Sequence, residues 1–130
     1  MSAELKYLAL VSVLTGLLWV PYILNEIMVR GLVDAVGYPE NPKPLARWAL
    51  RLKSAHYNAI ENLVVFAALV LVASAAGIHN PAVATAAAVY FWARVVHVVA
   101  YTLAVPWVRT LSFVVGFAMQ MWIAWLILLR

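Results

Sequence analysis

The sequence predicts an all-α integral membrane protein, a single domain built as a bundle of four transmembrane helices. Three observations predict it. Of 130 residues, 67% are hydrophobic and 11% charged, whereas a soluble domain carries roughly 25% charged residues, so the surface suits lipid rather than water. Apolar runs of spanning character occur four times, at about 5–29, 58–77, 82–105 and 107–129, against the roughly 20 residues a helix needs to cross the hydrocarbon core. Only one stretch between them is long, residues 30–57, and it gathers most of the basic side chains.

In the first span, Pro21 leaves the carbonyl of Leu17 without its helical donor, which predicts a kink. Asn25, Glu26 and Arg30 follow at its end. The N-terminus carries Glu4 and Lys6 rather than a basic cluster, and the first apolar run is long enough to span, which argues against a secretory signal peptide. Gly31, Gly37, Pro39, Pro42 and Pro44 break up the connection. From Pro44 onward the pattern suits a helix again, with proline tolerated in its first turn. The purely apolar part of the second span, Leu63 to Gly77, is too short to cross alone. Counting back to spanning length brings Asn58 and Glu61 to membrane depth or to the interface. The turn Ile78-His79-Asn80-Pro81 leads into the third span, and alanines crowd both of its arms. Small residues let membrane helices approach closely, so spans two and three are expected to form the intimate pair. The fourth span opens at Trp107.

Arg30, Lys43, Arg47, Arg51, Lys53 and Arg109 lie at one end of the bundle, and Lys6, His79 and Arg130 at the other. The positive-inside rule then puts the long connection in the cytoplasm. The net charge of +4 lies beside spans and forms no soluble basic patch, so nucleic acid is not an expected partner. With no cysteine there is no thiolate nucleophile or thiolate metal site, and three scattered histidines make no ligand set for a metal. Any thiol chemistry must use a thiol brought by a ligand.

The third span carries a polar ladder, Arg94, His97 and Tyr101. A cation at mid-bilayer costs about 2.5–3.5 kcal/mol on insertion scales, so Arg94 needs a partner. Folding the hairpin near residues 79–80 sets Asn58 level with Tyr101 and Glu61 beside His97, with Arg94 about one turn deeper. A snorkelling arginine covers that distance, which predicts a Glu61–Arg94 ion pair flanked by His97, Asn58 and Tyr101. Arg47, Arg51, Ser54, Asn58 and Glu61 extend this as one polar stripe, and Arg30 ends the first span at similar depth. These groups suit an anionic, polar ligand whose apolar partner arrives from lipid. Other readings stay open: a purely structural ion pair, a histidine satisfied in the interior, a belt tyrosine, and basic side chains that set topology or hold lipid headgroups.

Two motifs give the chain a resemblance to the membrane-associated proteins in eicosanoid and glutathione metabolism, the MAPEG family. One is Asn58-Ala-Ile-Glu61 with its upstream Arg47-Trp-Ala-Leu-Arg51; the other is Arg94-Val-Val-His97-Val-Val-Ala-Tyr101, followed by Pro106-Trp-Val-Arg109. The resemblance implies a homotrimer in a bacterial inner membrane, with glutathione bound between protomers in the cytoplasmic half. Asn58 and Glu61 would hold its polar and amino groups, with Arg94 supporting Glu61 or meeting a carboxylate. His97 belongs to the same binding set, Tyr101 would lie along the ligand, and Arg30 would reach it from the first helix. Arg109 falls where the family places a thiol-activating arginine. A guanidinium beside the sulfur favours thiolate over thiol. The implied activity is a glutathione transferase or peroxidase acting on lipophilic electrophiles that enter from the bilayer. The chain departs from the pattern at Ser54, where catalytic members carry an arginine; Arg51 and Lys53 are the nearby cations. Two further readings are a non-catalytic scaffold or lipid-binding protein, and a small proton-coupled exporter. Against the exporter, Glu26 sits at a span end and Glu61 has an expected counter-ion.

Overall fold

The computed structural model describes residues 1–129. It contains six helices: α1 (Ala3–Leu17), α2 (Trp19–Arg30), α3 (Leu32–Val36), α4 (Arg47–Ala75), α5 (Pro81–Thr102) and α6 (Pro106–Leu128). Taking α1 and α2 as one bent rod, four of these are long and apolar enough to cross a membrane. The chain is a four-helix membrane bundle.

The bend falls at Leu18, whose amide reaches back to the Thr15 carbonyl at 3.4 Å. It lies three residues before Pro21, as expected where proline removes a helical donor. Beyond the bend, α2 is pinned to α4 and its approach. The Tyr22 hydroxyl lies 2.7 Å from His56 Nδ1, and the Asn25 side-chain oxygen accepts the Ala46 amide at 2.9 Å. Arg30 pairs with Glu26 and donates from Nε to the Lys43 carbonyl at 2.8 Å. The connection is thus tied back onto the helix it leaves. Residues Pro44–Ala46 stay outside the helix, and α4 starts at Arg47.

α5 is the central helix, packed on α1, α4 and α6. In its apolar window 44% of residues are buried, against 22% in each other span. The closest pair is α5 and α6 rather than the alanine-rich α4–α5 hairpin. Two causes act together. The α5–α6 turn is only three residues long, and small buried residues on both helices, Ala93 and Ala100 on α5 and Ser112 and Gly116 on α6, allow close approach. A β-carbon built on Gly116 would sit 3.7 Å from the Tyr90 ring and 3.8 Å from Arg94 Cδ. On the α4 side, Phe66 stacks on Tyr90 with ring centroids 3.9 Å apart and planes 11° from parallel. That contact folds the α4–α5 hairpin about residue 78, slightly earlier than the turn residues alone predict.

Both tight turns end their helices in the same way. After α4, the Gly77 and Ile78 amides return to the carbonyls of Ser74 and Ala73; after α5, Ala104 and Val105 return to Tyr101 and Ala100. This Schellman pattern needs a left-handed residue just past the cap. Gly77 supplies it at φ 70°, whereas the second turn uses Ala104 at φ 59°. A side chain there costs about 1–2 kcal/mol relative to glycine. Ala104→Gly is therefore expected to raise stability by about 1 kcal/mol and Gly77→Ala to lower it by a similar amount. Thermal unfolding in detergent reads both, and opposite signs are the required result.

Candidate functional site

The polar face of α5 looks toward the end of the bundle where the connection enters α4. A cavity of about 280 Å³ opens there, lined by Asn58 of α4, His97 and Tyr101 of α5, and Arg109, Thr110 and Phe113 of α6. A second, of about 190 Å³, is lined by Arg51, Tyr101, the Ala104–Pro106 turn and Arg109. They share Tyr101 and Arg109 and form one cleft. The Arg109 guanidinium lies over the Tyr101 ring, 5.0 Å from its centroid. His97 meets the same ring edge-on at 5.6 Å and leans toward Phe113 at 6.2 Å. Tyr101 is thereby clamped between an imidazole and a cation.

Arg94 is 2% exposed, among the most buried large side chains of the protein. Its Nη2 donates to the Asn58 side-chain oxygen at 2.7 Å. The expected Glu61–Arg94 ion pair does not form; Glu61 is exposed on α4. The reason is azimuth. Three residues along a helix turn the side chain by about 60° from the starting face, so Glu61 leaves the face that carries Asn58. Depth alone could not distinguish them. Among the described residues the one ion pair is Arg30–Glu26, and none of them gives Arg51, Arg94 or Arg109 a carboxylate partner.

The hydrogen-bond network around Arg94 spans three helices. Asn62 Nδ2 donates to the Asn58 carbonyl at 2.9 Å and to its side-chain oxygen at 3.3 Å. Gln120 of α6 donates to the Asn62 carbonyl at 3.0 Å. Arg94 Nε and His97 Nδ1 are buried with no hydrogen-bond partner. Arg51 donates from Nε to the Thr102 carbonyl at 2.9 Å, at the C-terminal end of α5 where the helix dipole favours a cation.

Of the residues expected from sequence, Asn58, His97, Tyr101, Arg109 and Arg51 line this cleft, and Arg94 is buried behind it on the Asn58 side chain. Glu61 and Arg30 line neither cavity. Ser54 is exposed, and Lys53 sits 5.9 Å from the Tyr57 ring centroid. Asn62, Thr110 and Phe113 belong to the site but carry no signal distinguishing them from packing residues. Their only cue was position: Asn62 follows Asn58 by one turn, and Thr110 and Phe113 extend the Arg109 face.

On the other flank of the α5–α6 pair lies a larger groove, about 490 Å³, whose lining is apolar apart from Ser112. That hydroxyl is spent on the carbonyls of Val108 and Arg109. No group of three or more histidine, cysteine or acidic residues that could hold a metal occurs among the described residues.

The sequence model of the MAPEG family matches residues 8–129, nearly the whole chain. No curated protein and no solved structure matches it.

The geometry fixes an expectation for Arg94. Replacing a buried charge by an apolar side chain of similar length is often neutral or stabilising, and Asn58 would keep its bond from Asn62. Arg94→Met is therefore expected to unfold at the same temperature as wild type or higher. Arg94→Ala leaves a cavity and should cost about 2–5 kcal/mol. A large loss of stability in the methionine variant would instead make the guanidinium a structural strut.

Proposed function

The chain belongs to the MAPEG family, and on that premise we propose that it binds glutathione in the cleft of Asn58, His97, Tyr101 and Arg109 and transfers it to lipophilic electrophiles. The family makes it a membrane protein of the glutathione and eicosanoid metabolism kind. The observation that carries the finer reading is the cleft's charge. Arg51 and Arg109 line the cleft beside Tyr101, Arg94 lies buried behind Asn58, and among the described residues no carboxylate is paired to any of the three. Such a cleft favours an anion, and glutathione carries a carboxylate at each end and a net negative charge.

In this reading Arg109 stabilises the thiolate. The ligand's sulfur loses its proton to solvent at the cleft mouth, and the resulting anion sits beside a guanidinium held in place by the Tyr101 ring. The sulfur then attacks an electrophilic carbon to form a thioether while the leaving group departs with its bonding pair. In the peroxidase variant the sulfur attacks a peroxide oxygen, the O–O bond breaks and an alcohol leaves. A second glutathione then reduces the resulting sulfenic acid to the disulfide with release of water. The electrophile arrives laterally from the bilayer.

A homotrimer fits one further feature. Arg47, Leu50, Ser54, Tyr57, Glu61, Val64, Ala68 and Leu71 alternate at spacings of three and four, and all are exposed in the single chain. This is the seam of a coiled-coil-like contact. It would place Glu61 between protomers instead of against lipid. The cleft then faces the cytoplasm of a bacterial inner membrane, in line with the basic connection.

The experiment is calorimetry with glutathione on purified protein, together with the ultraviolet absorbance of the bound thiolate. Wild type is expected to bind and to show thiolate. Arg109→Leu should bind more weakly, lose the thiolate absorbance and lose about 10²–10³-fold in turnover. Absence of binding at millimolar glutathione would remove this reading and leave the scaffold or lipid-binding alternative, which the apolar groove on α5–α6 favours.

A further inference from the structure

We infer that Asn62 and Arg94 are positioning residues that fix the Asn58 amide with its NH₂ group toward the cleft. At that point the site accepts only a hydrogen-bond acceptor, such as the carboxylate of a thiol ligand. The inference rests on the thiol-binding reading above and adds a selectivity to it.

The argument is one of donors and acceptors. A side-chain amide oxygen has two lone pairs, and the amide nitrogen has two N–H donors. Which way an asparagine faces is decided by its neighbours. Here both neighbours are donors. Arg94 has no acceptor atom at all, and its Nη2 lies 2.7 Å from the Asn58 oxygen. The Asn62 amide is oriented in turn by the Asn58 main-chain carbonyl, which can only accept and lies 2.9 Å from Asn62 Nδ2. The same nitrogen then reaches the Asn58 side-chain oxygen at 3.3 Å. Both lone pairs of Asn58 are occupied, and a flip would set N–H against N–H twice.

What Asn58 offers to the 280 Å³ cavity it lines is therefore its two free N–H donors. The guanidinium groups of Arg51 and Arg109 elsewhere in the cleft are donors only. Glu61, the nearest acid along α4, is exposed on another face. Asn58 thus reads a carboxylate or carbonyl oxygen and repels an ammonium group. The register is tied to a third helix, because Gln120 of α6 holds the Asn62 carbonyl at 3.0 Å.

The test is displacement of glutathione by two small thiols of opposite charge, mercaptopropionate and cysteamine, combined with thermal unfolding. Wild type should prefer the carboxylate thiol. Asn58→Asp exchanges the donors for a carboxylate and gives Arg94 an ion-pair partner. It should unfold at a higher temperature yet bind glutathione about 10–100-fold more weakly, with the preference between the two thiols reversed. Asn62→Leu removes one of the two locks, so it should narrow the preference without lowering the unfolding temperature by more than a few degrees. If glutathione binds wild type but Asn58→Asp keeps the carboxylate preference, the lock is wrong although the thiol reading survives. If glutathione does not bind at all, the thiol reading fails. The lock is then judged by stability alone, with a raised unfolding temperature in Asn58→Asp supporting it and an unchanged or lowered one overturning it.

Discussion

A guanidinium buried in the middle helix of a membrane bundle, satisfied by a neutral amide, is the constraint on which the rest of this structure depends. Arg94 reaches Asn58 at 2.7 Å and meets no acid. Desolvating a charge is costly unless it is paired and hydrogen-bonded. The protein meets part of that cost by surrounding the arginine with protein instead of lipid. α5, which carries it, packs on α1, α4 and α6 and is the most buried of the four spans. Phe66 and Tyr90 stack beneath it, and Gly116 lets α6 close over its aliphatic stem. The remaining imbalance is electrostatic. It lies beside a cleft in which polar groups of α4, α5 and α6 meet.

Much of the fold was legible because it depends on one-dimensional properties. The proline at position 21, the Asn80-Pro81 start of α5 and the glycine at position 77 act locally, and the break at Leu18, the first turn of α5 and the left-handed turn at Gly77 lie where those residues place them. The residues of the two motifs also converge, since Asn58, Arg94, His97, Tyr101 and Arg109 share one end of the bundle. What was not legible is angular. A depth ruler sets Glu61 beside the arginine ladder but says nothing of the direction in which it points, and Glu61 turns away. The same blindness hid the α5–α6 seam. Alanine content favoured α4–α5, but the deciding residues were Ser112 and Gly116, which lie unremarked inside an apolar run. Long cations were least predictable of all. Arg30 and Arg51 each donate to a main-chain carbonyl, at Lys43 and Thr102.

That last pairing bears on Ser54, the position where catalytic relatives by resemblance carry an arginine. Ser54 is exposed on α4 and lines neither cavity. Arg51 stands on the same polar stripe nearly one turn earlier. Its Nε is fixed by the Thr102 carbonyl, where the last turn of α5 concentrates partial negative charge. The rest of its guanidinium lines the cleft opposite Arg109. A free lysine or arginine at the rim would lose side-chain entropy on meeting a ligand. Arg51 has already lost much of it to the helix end. The chain therefore keeps a cation at the mouth of the cleft, but displaced toward the α5–α6 turn and held at one angle. The turn that sets this angle is the strained one, with Ala104 in the left-handed region and Tyr101, Arg51 and Arg109 arranged around it. A rigid turn between two tightly packed helices is a physical means of holding two guanidinium groups at a fixed separation without an acid between them.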